Sequence, residues 1–204
     1  GLAVEQSVGV NPYKFGLIGA TDSHTALATA SEDNFFGKHS GAEPSPARSA
    51  RPMAKFGELE YPGWSMASSG YQGVWATENT REALFDAMMR RETYATTGSR
   101  IMIRFFGGWR FDEQDVWHSD FADIGYAKGV PMGGDLRPNE VSTEDNNHHE
   151  GHKSPSFVFA ALHDPLSGNL DRIQIVKGWV NRRGKREEKV YNVVWSGNRL
   201  IDQD

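Results

Sequence analysis

Hydrophobic spacing changes character several times along this chain. Leu2-Ala3-Val4-Glu5-Gln6 reads as the last turns of a helix, and Asn11-Pro12 marks a turn, because proline pushes the residue before it out of the helical region. The segment Lys14-Phe15-Gly16-Leu17-Ile18-Gly19-Ala20-Thr21 is a short apolar run without alternation. Such a run predicts a strand buried on both faces, as in a parallel sheet or an α/β barrel. Thr21-Asp22-Ser23-His24 then emerges at the C-terminal rim, where such barrels carry their chemistry. Residues 33–73 sustain no period. A loop of that length is a functional lid or disordered, and Phe35, Phe36, Phe56, Tyr61 and Trp64 favour a packed lid.

The clearest helical spacing runs from Thr80 to about Glu92, through Leu84, Ala87, Met88 and Arg91. Asn79 with Glu82 resembles a capping box, and Arg90 and Arg91 suit the negative C-terminal end of the helix dipole. Thr96-Thr97-Gly98-Ser99 breaks the chain and places a domain boundary near residue 100. Beyond it the period becomes two. Ile101, Ile103 and Phe105 alternate with Met102, Arg104 and Phe106, and Phe157, Phe159 and Ala161 alternate with Val158, Ala160 and Leu162. Ile173 and Ile175 form a third such face, and Tyr191, Val193 and Trp195 a fourth, with Asn181-Arg182-Arg183-Gly184 as a hairpin turn between them. Residues 107–154 are a poorly patterned interruption. The organisation expected is an α/β barrel remnant over 1–100, carrying a lid at 33–73, followed by a mainly antiparallel β-sandwich over 101–204.

Composition narrows the chemistry. There is no cysteine, so a metal site here must use histidine and carboxylate ligands. The net charge of −5 gives no overall basic footprint for nucleic acid. No apolar run approaches the roughly 20 residues of a membrane span. The chain opens at Gly1 inside a helical pattern, so it is read as the C-terminal part of a longer protein, with the rest of that protein, N-terminal to residue 1, as its first partner. On that reading the compartment, periplasmic or cytoplasmic, stays open.

Gly19-Ala20-Thr21-Asp22-Ser23-His24 resembles the Gly-Ser-Asp-Ser/Ala-His signature that closes the metal site of PHP-type (polymerase and histidinol phosphatase) phosphoesterases. Asp33 to His39, Thr80 to Ala87 and Arg91 to Gly98 are similar to segments of a bacterial family labelled domain of unknown function 3604. Phe105 to Trp109 and Asp171 to Trp179 extend that likeness. The resemblance implies a distorted β/α barrel whose histidines and carboxylates bind two or three divalent ions. An early His-x-His pair of that constellation lies upstream in family members, and no such triplet occurs here before the barrel's end. Asp22 and His24 are the metal ligands it implies, with zinc, manganese or iron as ion. Residues two apart share one side of an extended segment, so both can reach one ion. Without the resemblance, Asp22 could cap a helix start and His24 could be an ordinary loop histidine.

Lys38 and His39 are the candidate catalytic residues. A lysine on a glycine-flanked lid can meet a phosphate or sulfate, and a histidine can serve as acid or ligand; a solvated loop is the plain alternative. Asp33 and Asn34 could hold the lid, although turn chemistry accounts for them. His148, His149 and His152 beside Glu144, Asp145 and Glu150 read as a surface insertion with at most adventitious metal binding. The activity expected is metal-dependent hydrolysis of a small phosphoester, or of a related sulfate or phosphonate ester, with the isolated segment inactive. Two other readings stand beside it: an amidohydrolase-like enzyme cleaving C–N bonds, and a non-catalytic structural or carbohydrate-binding sandwich using Trp179, Tyr191 and Trp195.

Overall fold

The computed structural model describes residues 1–27, 36–41, 43–66, 70–137 and 154–197. They group into two units: Gly1–Phe15 with Pro165–Asp204, and Gly16–Asp164.

In the first unit, helix α1 (Leu2–Val8) stops at Gly9, whose φ of 81° is left-handed and whose N–H reaches the Glu5 carbonyl. The rest is a long antiparallel hairpin of β8 (Arg172–Val180) and β9 (Arg186–Trp195). Its turn closes through the Gly184 N–H to the Asn181 carbonyl and the Asn181 N–H to the Lys185 carbonyl, both at 2.9 Å. The alternating sequence pattern and the Asn-Arg-Arg-Gly signal both find their place here.

The second unit holds three small antiparallel sheets. Strands β1 (Pro52–Phe56) and β2 (Leu59–Pro62) form one, and β3 (Gln72–Val74) and β4 (Thr93–Ala95) another. The third has the order β6-β5-β7, from β5 (Met102–Gly108), β6 (Gly129–Pro131) and β7 (Ser156–Leu162). Between β5 and β6 runs α3 (Phe121–Lys128). The core sits where α3 covers the sheet: Phe106, Phe111 and Val158 are buried, with Phe121 and Ile124 packed against them. Phe106 meets Phe121 and Tyr126 edge-on, at 5.7 and 5.1 Å between ring centroids. Gly125 permits this approach, since a Cβ there would lie 2.5 Å from the Phe106 ring.

Several expectations change. The run at 14–21 is not a ladder strand: Phe15, Leu17 and Ile18 are exposed, Ile18 by 82%. Among the described residues there is no barrel, and the one parallel pairing is an isolated bridge. The physical reason is that an apolar run becomes a buried strand only when neighbours occupy both its edges and both its faces. Here side chains of β3 and β4, rather than a neighbouring backbone, take its hydrogen bonds. The region 33–73 contains the β1–β2 hairpin, and of the aromatics expected to pack there Phe35 lies outside the described residues. Phe36, Phe56, Tyr61 and Trp64 are all exposed, and Phe56 meets Tyr61 edge-on at 5.9 Å. Helix α2 (Arg81–Met89) is capped by Thr80, whose hydroxyl accepts from the Ala83 N–H, so the cap lies one residue beyond Asn79. The helix also ends before Arg91, which adopts a left-handed φ of 62°. The interruption at 107–154 hides α3 and β6. No helix among the described residues is long and apolar enough to cross a membrane.

Candidate functional site

Two loop segments far apart in composition are held side by side. The His24 N–H donates to the Lys38 carbonyl at 2.7 Å, forming the isolated parallel bridge between His24 and His39. Ser23 Oγ donates to the Gly37 carbonyl at 3.3 Å and shares a hydrogen bond with Thr25 Oγ1 at 2.8 Å. Asp22 takes a left-handed φ of 54°, a conformation that short polar Asp tolerates better than most residues. Gly37, at φ 134°, brings the second segment down on buried Glu43. A Cβ at Gly37 would lie 2.3 Å from the Glu43 side chain, and Arg48 Nε stands 3.5 Å from that carboxylate.

The first segment is anchored from behind by β3 and β4. Gln72 Oε1 accepts from the Gly19 N–H at 2.9 Å, and Gln72 Nε2 donates to the Leu17 carbonyl at 3.2 Å. Thr93 Oγ1 donates to that same carbonyl at 3.0 Å. Gly19 has to be small, since a Cβ there would lie 2.3 Å from the Tyr71 carbonyl oxygen.

All four sequence-derived site residues therefore meet. Lys38 Nζ lies 2.8 Å from Asp22 Oδ2, with the lysine side chain 10% exposed and the aspartate 61%. The Lys38 ammonium, by hydrogen bond and by charge, holds the Asp22 carboxyl below its ordinary value of 3.8. The His24 and His39 rings are 4.6 Å apart and tilted by 36°. His24 Nδ1 is 3.0 Å from its neighbour Asp22's carbonyl oxygen. A carbonyl can only accept, so Nδ1 is the donor and Nε2 is the ring nitrogen left to face a ligand.

As a metal centre the neighbourhood has suitable donor chemistry, two imidazoles and a carboxylate, in an incomplete arrangement. Among the described residues no three metal donors group together, and Asp22 turns toward Lys38 instead. Asp33, Asn34 and the His148, His149 and His152 cluster lie outside the described residues. Gln72, Thr93 and Glu43, which position the site, had no sequence signal. Gln72 is 53 residues from the backbone N–H it holds, and no motif or period links the two.

Searches of curated proteins and of solved structures returned no match. The family described as "Protein of unknown function (DUF3604)" matches residues 1–204. The match spans the whole chain, which therefore belongs to the DUF3604 family.

Proposed function

We propose that this protein is a PHP-like, metal-dependent hydrolase of phosphoesters or of related sulfate or phosphonate esters. The observation that supports this is the convergence of Asp22, His24, Lys38 and His39, two ligand types and two substrate-side types, from segments joined by a single bridge. On this reading Asp22 and His24, through Nε2, hold a zinc, manganese or iron ion. Such an ion supplies an acidified water and polarises the ester oxygen when bound. Asp22, paired with Lys38 as it stands, would serve as a carboxylate ligand, and Lys38 would then be available to a non-bridging oxygen of the ester. His39, beside His24, donates a proton to the leaving oxygen. A cluster of two or three ions needs more donors than the described residues bring together here, and the reading requires further ones.

The test uses whole protein carrying Asp22→Asn or His24→Ala. Metal is measured by elemental analysis, and rates are taken on an aryl phosphate, an aryl sulfate and an anilide, with and without chelator. Altering groups that merely support metal ligands costs about 10–100-fold, so loss of a ligand should lower both readouts by at least about tenfold. Full metal content with unchanged rates in both variants would refute the assignment. Turnover of the anilide alone would move the protein to C–N hydrolysis.

A further inference from the structure

One face of the β8–β9 hairpin carries an arrangement that neither the hairpin's own stability nor the proposed hydrolytic site explains. Lys177 stands directly opposite Lys189 in the antiparallel register, and like charges in that position destabilise a strand pair. Both are exposed, and among the described residues no carboxylate lies within ion-pairing distance of either ammonium. Each sits over an aromatic ring instead: Lys177 Nζ is 5.2 Å from the Trp179 ring, and Lys189 Nζ is 5.1 Å from the Tyr191 ring. Alternation puts all four side chains on one face, because residues two apart on a strand point the same way. Glu187, the acid of that face, faces Trp179 and accepts a hydrogen bond from Asn181 Nδ2 at 2.7 Å.

The surrounding charge has the same sign. Residues 171–197 contain seven Lys and Arg against three Asp and Glu, a local net charge of +4 in a chain whose total is −5. Four of the seven, Arg182, Arg183, Lys185 and Arg186, cluster at the hairpin tip and are exposed. Fields fade over about 10 Å in ordinary salt, so a small anion at the lysine pair feels the local positive charge.

We propose that Lys177 and Lys189 form a clamp for one tetrahedral oxyanion, a sulfate or phosphate monoester carried on a sugar ring. In the hairpin as it stands each ammonium leans toward its own ring, on opposite sides of the pair. Cβ atoms of directly opposed residues are only about 5 Å apart, so both long side chains can swing off the rings to one anion between them, which leaves a ring face open to the sugar. The apolar C–H face of the sugar lies against Trp179 or Tyr191, flanking the anion on either side. The like-charge cost that the hairpin bears empty is relieved when the anion enters. This site belongs to the first unit alone and does not depend on the hydrolase reading.

The experiment is calorimetric titration of the intact chain with glucose 6-sulfate, glucose 6-phosphate, glucose, inorganic phosphate and a short oligothymidylate. The indole N–H resonance of Trp179, assigned by its loss in Trp179→Phe, is followed in parallel. At least one sugar ester should saturate below about 1 mM, and glucose should not bind. The ester arm that saturates identifies sulfate or phosphate as the charge carried. The double variant Lys177→Gln/Lys189→Gln should weaken binding at least about tenfold, while Lys185→Gln should change it by less than about threefold. The double variant should melt within a few degrees of the parent, because it removes the lysine repulsion together with two cation–π contacts of similar size. An unchanged amide fingerprint of the hairpin separates lost binding from lost folding. The proposal is overturned if no ester binds, or if the double variant binds as the parent does. It is also overturned if inorganic phosphate alone binds as tightly, or if the oligonucleotide binds more tightly than either ester.

Discussion

Gly19→Ala is the sharpest test of how the site is held. Gly19 does not have a left-handed φ, so its backbone accepts alanine and the penalty is purely steric. The added Cβ would stand 2.3 Å from the Tyr71 carbonyl oxygen and 3.2 Å from Ala95 Cβ. Ordinary C···O contacts begin near about 3.3 Å, so the 17–24 segment must withdraw by about 1 Å. That movement stretches the 2.9 Å bond from the Gly19 N–H to Gln72 beyond useful range. Overpacking costs about 1–3 kcal/mol and the lost hydrogen bond about 1 kcal/mol. The reduced freedom of the unfolded alanine chain returns about 0.4–1 kcal/mol. The expected net loss is about 1–3 kcal/mol, read as a lower urea midpoint in tryptophan fluorescence. The same segment carries Asp22 and His24, so the imidazole resonances of His24 and His39 should also move. An unchanged midpoint with unmoved resonances would show that this packing does not position the site.

Gly9→Ala isolates the opposite cause. No atom lies within 4 Å of the added Cβ, but φ is 81°, so the cost is backbone strain of about 1 kcal/mol, seen as faster amide exchange in α1. Phe106→Ala removes the one large side chain fully buried among the described residues, and should cost about 3–5 kcal/mol in urea unfolding. Lys38→Met should let the Asp22 carboxyl, followed by carbon NMR, rise back to the ordinary range. With Lys38 present, the folded pKa of Asp22 lies below its unfolded value. Its contribution to stability is therefore complete above about pH 4 and is lost as pH falls through the depressed folded value. In Lys38→Met, that part of the pH dependence should disappear.

What the linear pattern determined on its own are features that neighbouring residues decide together. Period-two alternation marked β5, β7, β8 and β9, because strand side chains alternate whatever the sheet becomes. Asn181 to Gly184 marked the hairpin turn, because Gly184 supplies a left-handed φ of 75° there. Asp22 and His24 differ from these: they are candidates through the family resemblance, since a lone Asp-x-His is a weak motif. Tertiary structure decided the rest. The run Phe15 to Ala20 has the composition of a buried strand, yet burial depends on which chains reach its edges, and here Gln72 and Thr93 meet it with side chains. Helix α3 was hidden because it is short and gains its stability by covering Phe106 rather than from a strong period of its own. That Lys38 pairs with Asp22, and that the His24 and His39 rings lie side by side, follows from one backbone bridge. No local propensity encodes such a bridge, since neither partner's sequence neighbours specify the other.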